Sequence, residues 1–441
     1  MSGLRARAFG RGLLSGPPLT RRVTPKLGAY AALAAAGFLA AVLLGRPEAA
    51  LLAMPFALVA VLGMALVSEP VLDLDLGLDR DRVLVGEEVE LRLTVRALTS
   101  VASLEVTPAV AWPLSVASGG MPPAQSFAAG EERTIRCRFT VGAWGVHDLG
   151  RVTVRAHDHL GVFHFEQRMI SNLPLRAYPR PEQLSALLSP RSTRPHAGNR
   201  VSRERGSGLE PADIREFVPG DLIRHVNWRA TARRSELHVN QHHPERSTDV
   251  VIFIDTFAEA GEGPRTTLDL AVGAAASLAH GYLRSRDRVG LIGFGGVLRW
   301  VRPGLGRTHL YRLMDSLLDT RVVSSYAWKG IDVIPRGTLP PKALLLAITP
   351  LLDPRSIAAL LDVRGRGFDV AVIEVDPSGL AIGRGDERGS LAWRLWILER
   401  EATRERLRRG GIAVAGWDGT LPLEAALEEV RASRRSARYP A

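Results

Sequence analysis

The spacing of hydrophobic positions changes twice along this chain of 441 residues, dividing it into three stretches. From Leu27 to Gly45 ("LGAYAALAAAGFLAAVLLG") no residue is charged, and after "RPE" a second uncharged run extends from Ala49 to Ser68. Each run is about 20 residues, which at ~1.5 Å per residue crosses ~30 Å of hydrocarbon. The short link makes the two helices antiparallel neighbours, and Pro55 is expected to kink the second near its start. From Val71 to about Arg180 the period becomes two. Leu72, Leu74, Leu76 and Leu78 alternate with Asp73, Asp75 and Asp79, and "GEEVELRLTVRA", "RTIRCRFTV" and "GRVTVRA" repeat the pattern. Short alternating strands separated by Gly, Pro and Asp predict an Ig-like β-sandwich with one polar face per sheet.

From Thr248 the alternation stops. "DVVIFID", "RVGLIGF", "ALLLAIT", "DVAVIEV" and "GIAVAGW" are continuous apolar runs, as in strands covered on both faces. Helical patterns lie between them, and "LPLEAALEEVRAS" follows the last. Strand–helix alternation predicts a doubly wound α/β domain with a mainly parallel sheet. The expected organisation is therefore a tail at 1–26, a transmembrane helical hairpin at 27–69, a β-sandwich at 70–180, an arginine-rich linker and strap at 181–246, and an α/β domain at 247–436.

Charge orients this plan. Arg5, Arg7, Arg11, Arg21, Arg22 and Lys26 precede the first apolar run, whereas the link carries only Arg46, offset by Glu48. An excess of basic residues marks the cytoplasmic side. The expectation is a multi-pass protein of the inner (plasma) membrane with its soluble parts in the cytoplasm. A cleaved signal peptide fits less well, because the second run would still be an anchor. Buried core helices fit less well, because both runs are apolar on every face. The net charge of +11 could serve nucleic acid or an anionic surface. In the basic stretch Arg191 to Arg234, however, arginines are interleaved with Glu204, Glu210, Asp213, Glu216 and Asp221, which weakens a phosphate footprint. The lone cysteine, Cys137, sits on the apolar side of an alternating strand and reads as a packing residue.

Candidate chemistry concentrates at the expected strand ends, where open α/β sheets bind ligands. Asp255 ends the first apolar run, Thr308 begins a helix, and Asp353 follows the third run. Three oxygens from three loops would suit magnesium. The arrangement resembles a von Willebrand factor A domain, whose adhesion site is an Asp-x-Ser-x-Ser loop, a Thr and a second Asp. Asp255, Thr308 and Asp353 match the outer positions. Phe257 and Glu259 stand at the two serine positions, so the resemblance implies a degenerate metal site. His238, His242 and His243 form a second cluster, read as an exposed strand rather than a zinc site. No phosphate-binding loop, dinucleotide fingerprint or Gly-x-Ser-x-Gly elbow occurs.

The stretch "GLEPADIREFVPGDLIRHVNWRATARRSELHVNQ" remains. Asp221, Arg224, Asn227 and Arg233 read as a polar site for an anion or protein partner. Equally, Pro219-Gly220 reads as a turn and Trp228 as a core anchor. The stretch closely resembles the signature of the domain of unknown function 58 family. Gly208, Arg215, Glu216, Pro219, Gly220, Asp221, Arg224, Asn227, Trp228, Ala232 and Arg233 match it, and Phe217 replaces the usual tyrosine. The resemblance implies a bacterial, membrane-anchored protein without an assigned activity, accessory to an ATPase-driven assembly or envelope process and partnered by a MoxR-type AAA ATPase. The sequence thus favours a non-enzymatic adaptor without cofactor. The alternatives are a metal-dependent hydrolase at Asp255 and Asp353, supported by Glu259, and nucleic-acid binding through the strap.

Overall fold

The computed structural model describes the chain apart from residues 1–19, 66, 68, 159, 191–199, 202–209, 219–222, 224–225, 235, 244, 247–248, 262–264, 323–333, 336, 381–389 and 437–441. Two compact units make it up, Met1–Tyr178 and Pro179–Ala441.

The first unit runs β1 (Thr20–Val23), α1 (Pro25–Leu44), α2 (Pro47–Ala65), β2 (Leu72–Leu78), β3 (Arg82–Leu84), β4 (Glu88–Ala97), β5 (Val101–Pro108), β6 (Leu114–Val116), β7 (Gln125–Phe127), β8 (Glu132–Val141), β9 (Gly145–Asp148), β10 (Arg151–His157), β11 (Phe163–Ile170) and β12 (Pro174–Tyr178). Helices α1 and α2 are long and apolar enough to cross a membrane. A Cβ on Gly37 would come within 2.5 Å of the Ala53 Cβ, so this glycine sets how closely the helices approach. Pro55 lies inside α2, which is continuous through it.

Antiparallel sheets follow, in the orders β1-β11-β10-β5-β7 and β2-β4-β8-β6. A three-stranded sheet, β3-β12-β9, has β3 parallel to β12. The period of two becomes burial directly: along β4 every second side chain is buried, from Val89 to Ala97. Leu91, Leu93, Cys137 and Phe139 from one sheet share a core with Leu104, Val154, Phe163 and Phe165 from the other. Each such large side chain contributes about 1.5–3 kcal/mol when fully buried. Cys137 is inside this core, and burial pushes its thiol pKa up to about 11.

One expectation is corrected here. Residues 20–23, assigned to a basic tail, form β1, which pairs antiparallel with β11 from Thr20↔Glu166 to Val23↔Phe163. Thr24 then begins α1 while its hydroxyl donates to the Gly161 and Val162 carbonyls. The alternation rule misses β1 because four residues are too few to show a period.

The second unit runs β13 (Arg200–Val201), β14 (Glu210–Glu216), α3 (Trp228–Arg234), β15 (His238–His243), β16 (Glu245–Arg246), β17 (Asp249–Thr256), α4 (Thr267–Arg284), β18 (Arg288–Gly295), β19 (Arg299–Gly304), α5 (Gly306–Leu318), β20 (Leu344–Thr349), α6 (Pro354–Gly365), β21 (Asp369–Val375), α7 (Leu391–Arg409), β22 (Ala413–Trp417) and α8 (Leu423–Ser436). Six strands form one sheet in the order β19-β18-β17-β20-β21-β22, all neighbours parallel except the edge strand β19. Val251 and Phe253 pack with Leu360 and Val363 of α6 and Leu407 of α7 on one face. Helix α4 opens on a capping box between Thr266 and Asp269.

The segment after Pro179 is an ordered arm rather than a linker in its first ten residues. Ser277 of α4 accepts the Glu182 N–H, and Tyr282 donates its hydroxyl to the Leu188 carbonyl at 2.9 Å. Arg431 of α8 reaches the Leu187 carbonyl.

Candidate functional site

The strand order places a topological switch point between β17 and β20: the chain leaves β17 toward β18 and returns on its other side. At that point two adjacent parallel strands diverge into opposite connections and leave a crevice beyond their carboxyl ends. Asp255 of β17 and Thr349 of β20 occupy it. The Thr349 hydroxyl donates to Asp255 Oδ2 at 2.7 Å, while Asp255 Oδ1 accepts the Phe257 N–H at 3.0 Å. Thr349 Oγ1 also accepts the Leu351 N–H. Asp255 is buried, and burial pushes its pKa up against the hydrogen bonds from Phe257, Thr349 and Ser356.

Asp353 stands at the N-cap of α6. Its Oδ1 accepts the Arg355 N–H at 2.8 Å and Arg355 Nε at 2.9 Å, and its Oδ2 accepts Nη2 at 2.8 Å. Burial raises the Asp353 pKa, but the Arg355 guanidinium and N–H outweigh it and hold the carboxyl below its ordinary range. The same guanidinium lies 4.0 Å over the Phe257 ring, which meets Phe294 edge-on at 5.1 Å. A cation supplied by the chain therefore already sits between Asp353 and the first serine-like position.

Thr308 does not join them. The adjacent His309 bonds the Val289 carbonyl at 2.6 Å, at the start of β18, whereas Asp255 pairs with Phe294 near its end. Five residues at ~3.3 Å each put ~17 Å between those levels. The reason is β19, an edge strand that carries the chain back before α5 begins. Glu259 is exposed. Among the described residues no group of three or more His, Cys, Asp or Glu side chains is placed to hold a metal. The residues present do not fit a magnesium ion: one position is apolar, one is at the far end, and one is neutralised. Sequence reading missed Thr349, Arg355 and Ser356. The tripeptide Asp353-x-Arg355 was a usable signal, since an arginine two residues after an N-cap aspartate can return to it.

Beyond β20 the same sheet end continues. Glu374 is fully buried and bonded by Arg400 and Arg404 of α7. Arg400 also donates twice to the Pro350 carbonyl at 3.1 Å.

The signature stretch forms a separate hairpin. Strand β14 pairs antiparallel with β15, with an irregularity between Pro211 and Asp213. Asn227 braces it. Its N–H donates to the His238 carbonyl at 2.8 Å, its Nδ2 to Asn240 Oδ1 at 2.7 Å, and its Oδ1 accepts the Ala230 N–H at the start of α3. Asn227 is thus engaged within the hairpin rather than offered to an anion. Trp228 is 65% exposed, so it is not a core anchor. Ile214, Val218, Ile223 and Leu237 are exposed as well, and Arg233 is exposed on α3. Arg215 donates to the Glu216 carbonyl. His238 is buried, correcting the expectation of an exposed histidine run. Its Nδ1 bonds the Glu236 carbonyl at 2.8 Å and its Nε2 meets Arg234 at 3.3 Å. Gly208, Pro219, Gly220, Asp221 and Arg224, and the side chains of His242 and His243, lie outside the described residues.

The second unit is thus a mixed α/β region with two internally bonded aspartates near its switch point, together with a short antiparallel hairpin. Residues 213–383 match the family model described as "Protein of unknown function DUF58". An uncharacterized protein of Mycobacterium bovis (strain ATCC BAA-935 / AF2122/97), Mb1516, is 31% identical over 115 residues, which is 25% of this chain and 36% of that protein. The uncharacterized protein YeaD of Bacillus subtilis (strain 168) is 24% identical over 151 residues, 34% of this chain and 36% of its own length. The chain thus spans about a third of the length of these relatives. A crystal structure of an aerotolerance-related membrane protein from Bacteroides fragilis NCTC 9343, with multiple mutations to serines, aligns at 16% identity and a TM-score of 0.28, over 43% of this chain and 100% of that one.

Proposed function

We propose that this protein is a non-enzymatic interaction module, anchored in the inner membrane by α1 and α2 with both units on the cytoplasmic side. In this reading the antiparallel sheets are an Ig-like β-sandwich that stands on the membrane hairpin. The second unit is a von Willebrand factor A-like domain that does not use metal. The observation that carries the reading is the exposed Trp228, with Ile223, Val218 and Leu237 exposed on the same hairpin and Arg229, Arg233 and Arg234 on α3. Exposed tryptophan beside arginine is the composition of energetic centres in protein interfaces. The closed state of Asp255 and Asp353 supports the same reading, since a hydrolase would need carboxylates free to hold an ion and its water. An AAA ATPase of the MoxR type is the proposed partner.

The test is affinity capture of the detergent-solubilised full chain from native membranes, comparing wild type with Trp228→Ala and Asp221→Ala and identifying partners by mass spectrometry. An AAA ATPase retained by wild type and depleted at least tenfold with Trp228→Ala is the expected result. Identical partners for all three, with Trp228→Ala folded, would sink the hairpin as an interface.

A further inference from the structure

Helix α7 has two apolar faces, and only one of them is used by its own domain. Trp393 and Trp396 are half-buried and meet at 4.9 Å, and Arg400 and Leu407 are buried. The steps 393, 396, 400 and 407 follow the helical repeat and mark the side packed on the sheet. On the other side Leu391, Leu395 and Leu398 are 72%, 53% and 65% exposed. Their spacing is i, i+4, i+7, and the exposed Ala402 continues it by one more step. A monomeric domain gains nothing from three aligned exposed leucines. Such a seam fits a second helix with the same spacing.

We propose that this seam is the interface of a homodimer, in which α7 packs antiparallel against α7 of a second copy. The seam is self-complementary, as a twofold contact requires. With the axis between residues 396 and 397, Leu395 faces Leu398 of the second copy and Leu391 faces its Ala402. The small Ala402 leaves room for the leucine opposite. Arg394 and Glu401 lie seven residues apart along one flank of the seam, both exposed. In an antiparallel pair that flank meets the same flank of the second copy, so each Arg394 approaches an opposite Glu401. Glu401 also pairs with Arg404 and Arg408 of its own helix, so an opposite Arg394 would share it with them. A lipid surface suits the seam less well, because Glu399 and Glu401 border it. Anchoring by α1 and α2, on which this step rests as proposed above, would confine both copies to one plane and raise their effective concentration, so a short seam suffices.

The register makes the proposal testable in the full chain. Cys137 is buried, so a cysteine introduced on α7 is the accessible one. Differently tagged Leu391→Cys and Ala402→Cys copies would be co-expressed and oxidised in native membranes. The expected product is a disulfide dimer joining the two tags, with little joining like to like, because like positions stand ~16 Å apart along the axis. Like-to-like cross-links would mean a parallel pair and overturn the register. No dimer, adducts with another protein, or quenching by bromolipid of a fluorophore on Leu395→Cys would overturn the homodimer. Because these positions are exposed, the variants should melt as wild type does. As a second readout, Leu395→Glu should weaken the dimer at least tenfold in native mass spectrometry, and an unchanged dimer would also overturn the proposal.

Discussion

The carboxyl end of the parallel sheet and the signature hairpin make opposite use of similar residues. At the sheet end the three carboxylates each have partners within the chain. Asp255 is held by Thr349 and Phe257, Asp353 by Arg355, and Glu374 by Arg400 and Arg404. In the hairpin Asn227 and His238 face inward and hold the turn, while Trp228 and the arginines of α3 face out. The difference separates a site that looks chemical in sequence from one that is open in structure. Asp255 and Asp353 suggest a metal only until their partners are known.

The comparison can be broken first at Glu374. Glu374→Gln leaves two guanidinium groups without their shared carboxylate, one of them buried. Removing one partner of a buried pair costs about 3–5 kcal/mol. The second unit should unfold at markedly lower urea, read by tryptophan fluorescence, and an unchanged midpoint would show that the sheet end is not internally locked. The hairpin should respond in the reverse sense. Trp228→Ala should cost about 2 kcal/mol of partner binding by titration calorimetry, yet change stability by less than ~0.5 kcal/mol.

A pH series sharpens the same contrast. Asp255 has its pKa raised by burial, so the folded state holds its proton more tightly than the unfolded chain does. Stability from this group is therefore fully present below the ordinary aspartate range. It is lost as pH rises through the raised value, at no more than ~1.4 kcal/mol per pH unit. Asp255→Asn should flatten that slope in urea midpoints measured from pH 4 upward; an unchanged slope would refute the assignment. Asp353 runs the other way, its stabilisation appearing above the ordinary range and fading as pH falls. The smallest effect is expected from Arg355→Gln. Its side chain is 45% exposed, so the ion pair is worth less than ~1 kcal/mol in thermal melts.

Much of the fold was legible. Periods of two and continuous apolar runs both became strands, as β4 and β17 illustrate, because burial on one face or two is written directly in composition. Edge strands β1 and β19 were not legible, since neither needs a buried face to form. The position of Asp255 at a strand end was readable, but not that of Thr308, because its placement depends on β19 reversing the chain. Of the two readings of the stretch, the one that buried Trp228 rested on residue type alone, whereas exposure depends on what packs above a residue. Asn227 was recognised as important, yet its role as a brace needs the partner Asn240, thirteen residues away in the chain.

The pairing of β1 with β11 has a mechanical meaning. The chain enters the two apolar helices directly from a hydrogen-bonded edge of the sheet, through Thr24. There is no slack at that joint. Were α1 seated in a bilayer as proposed, a tilt of that helix would act directly on the hydrogen-bonded sheet edge, as a lever passes torque.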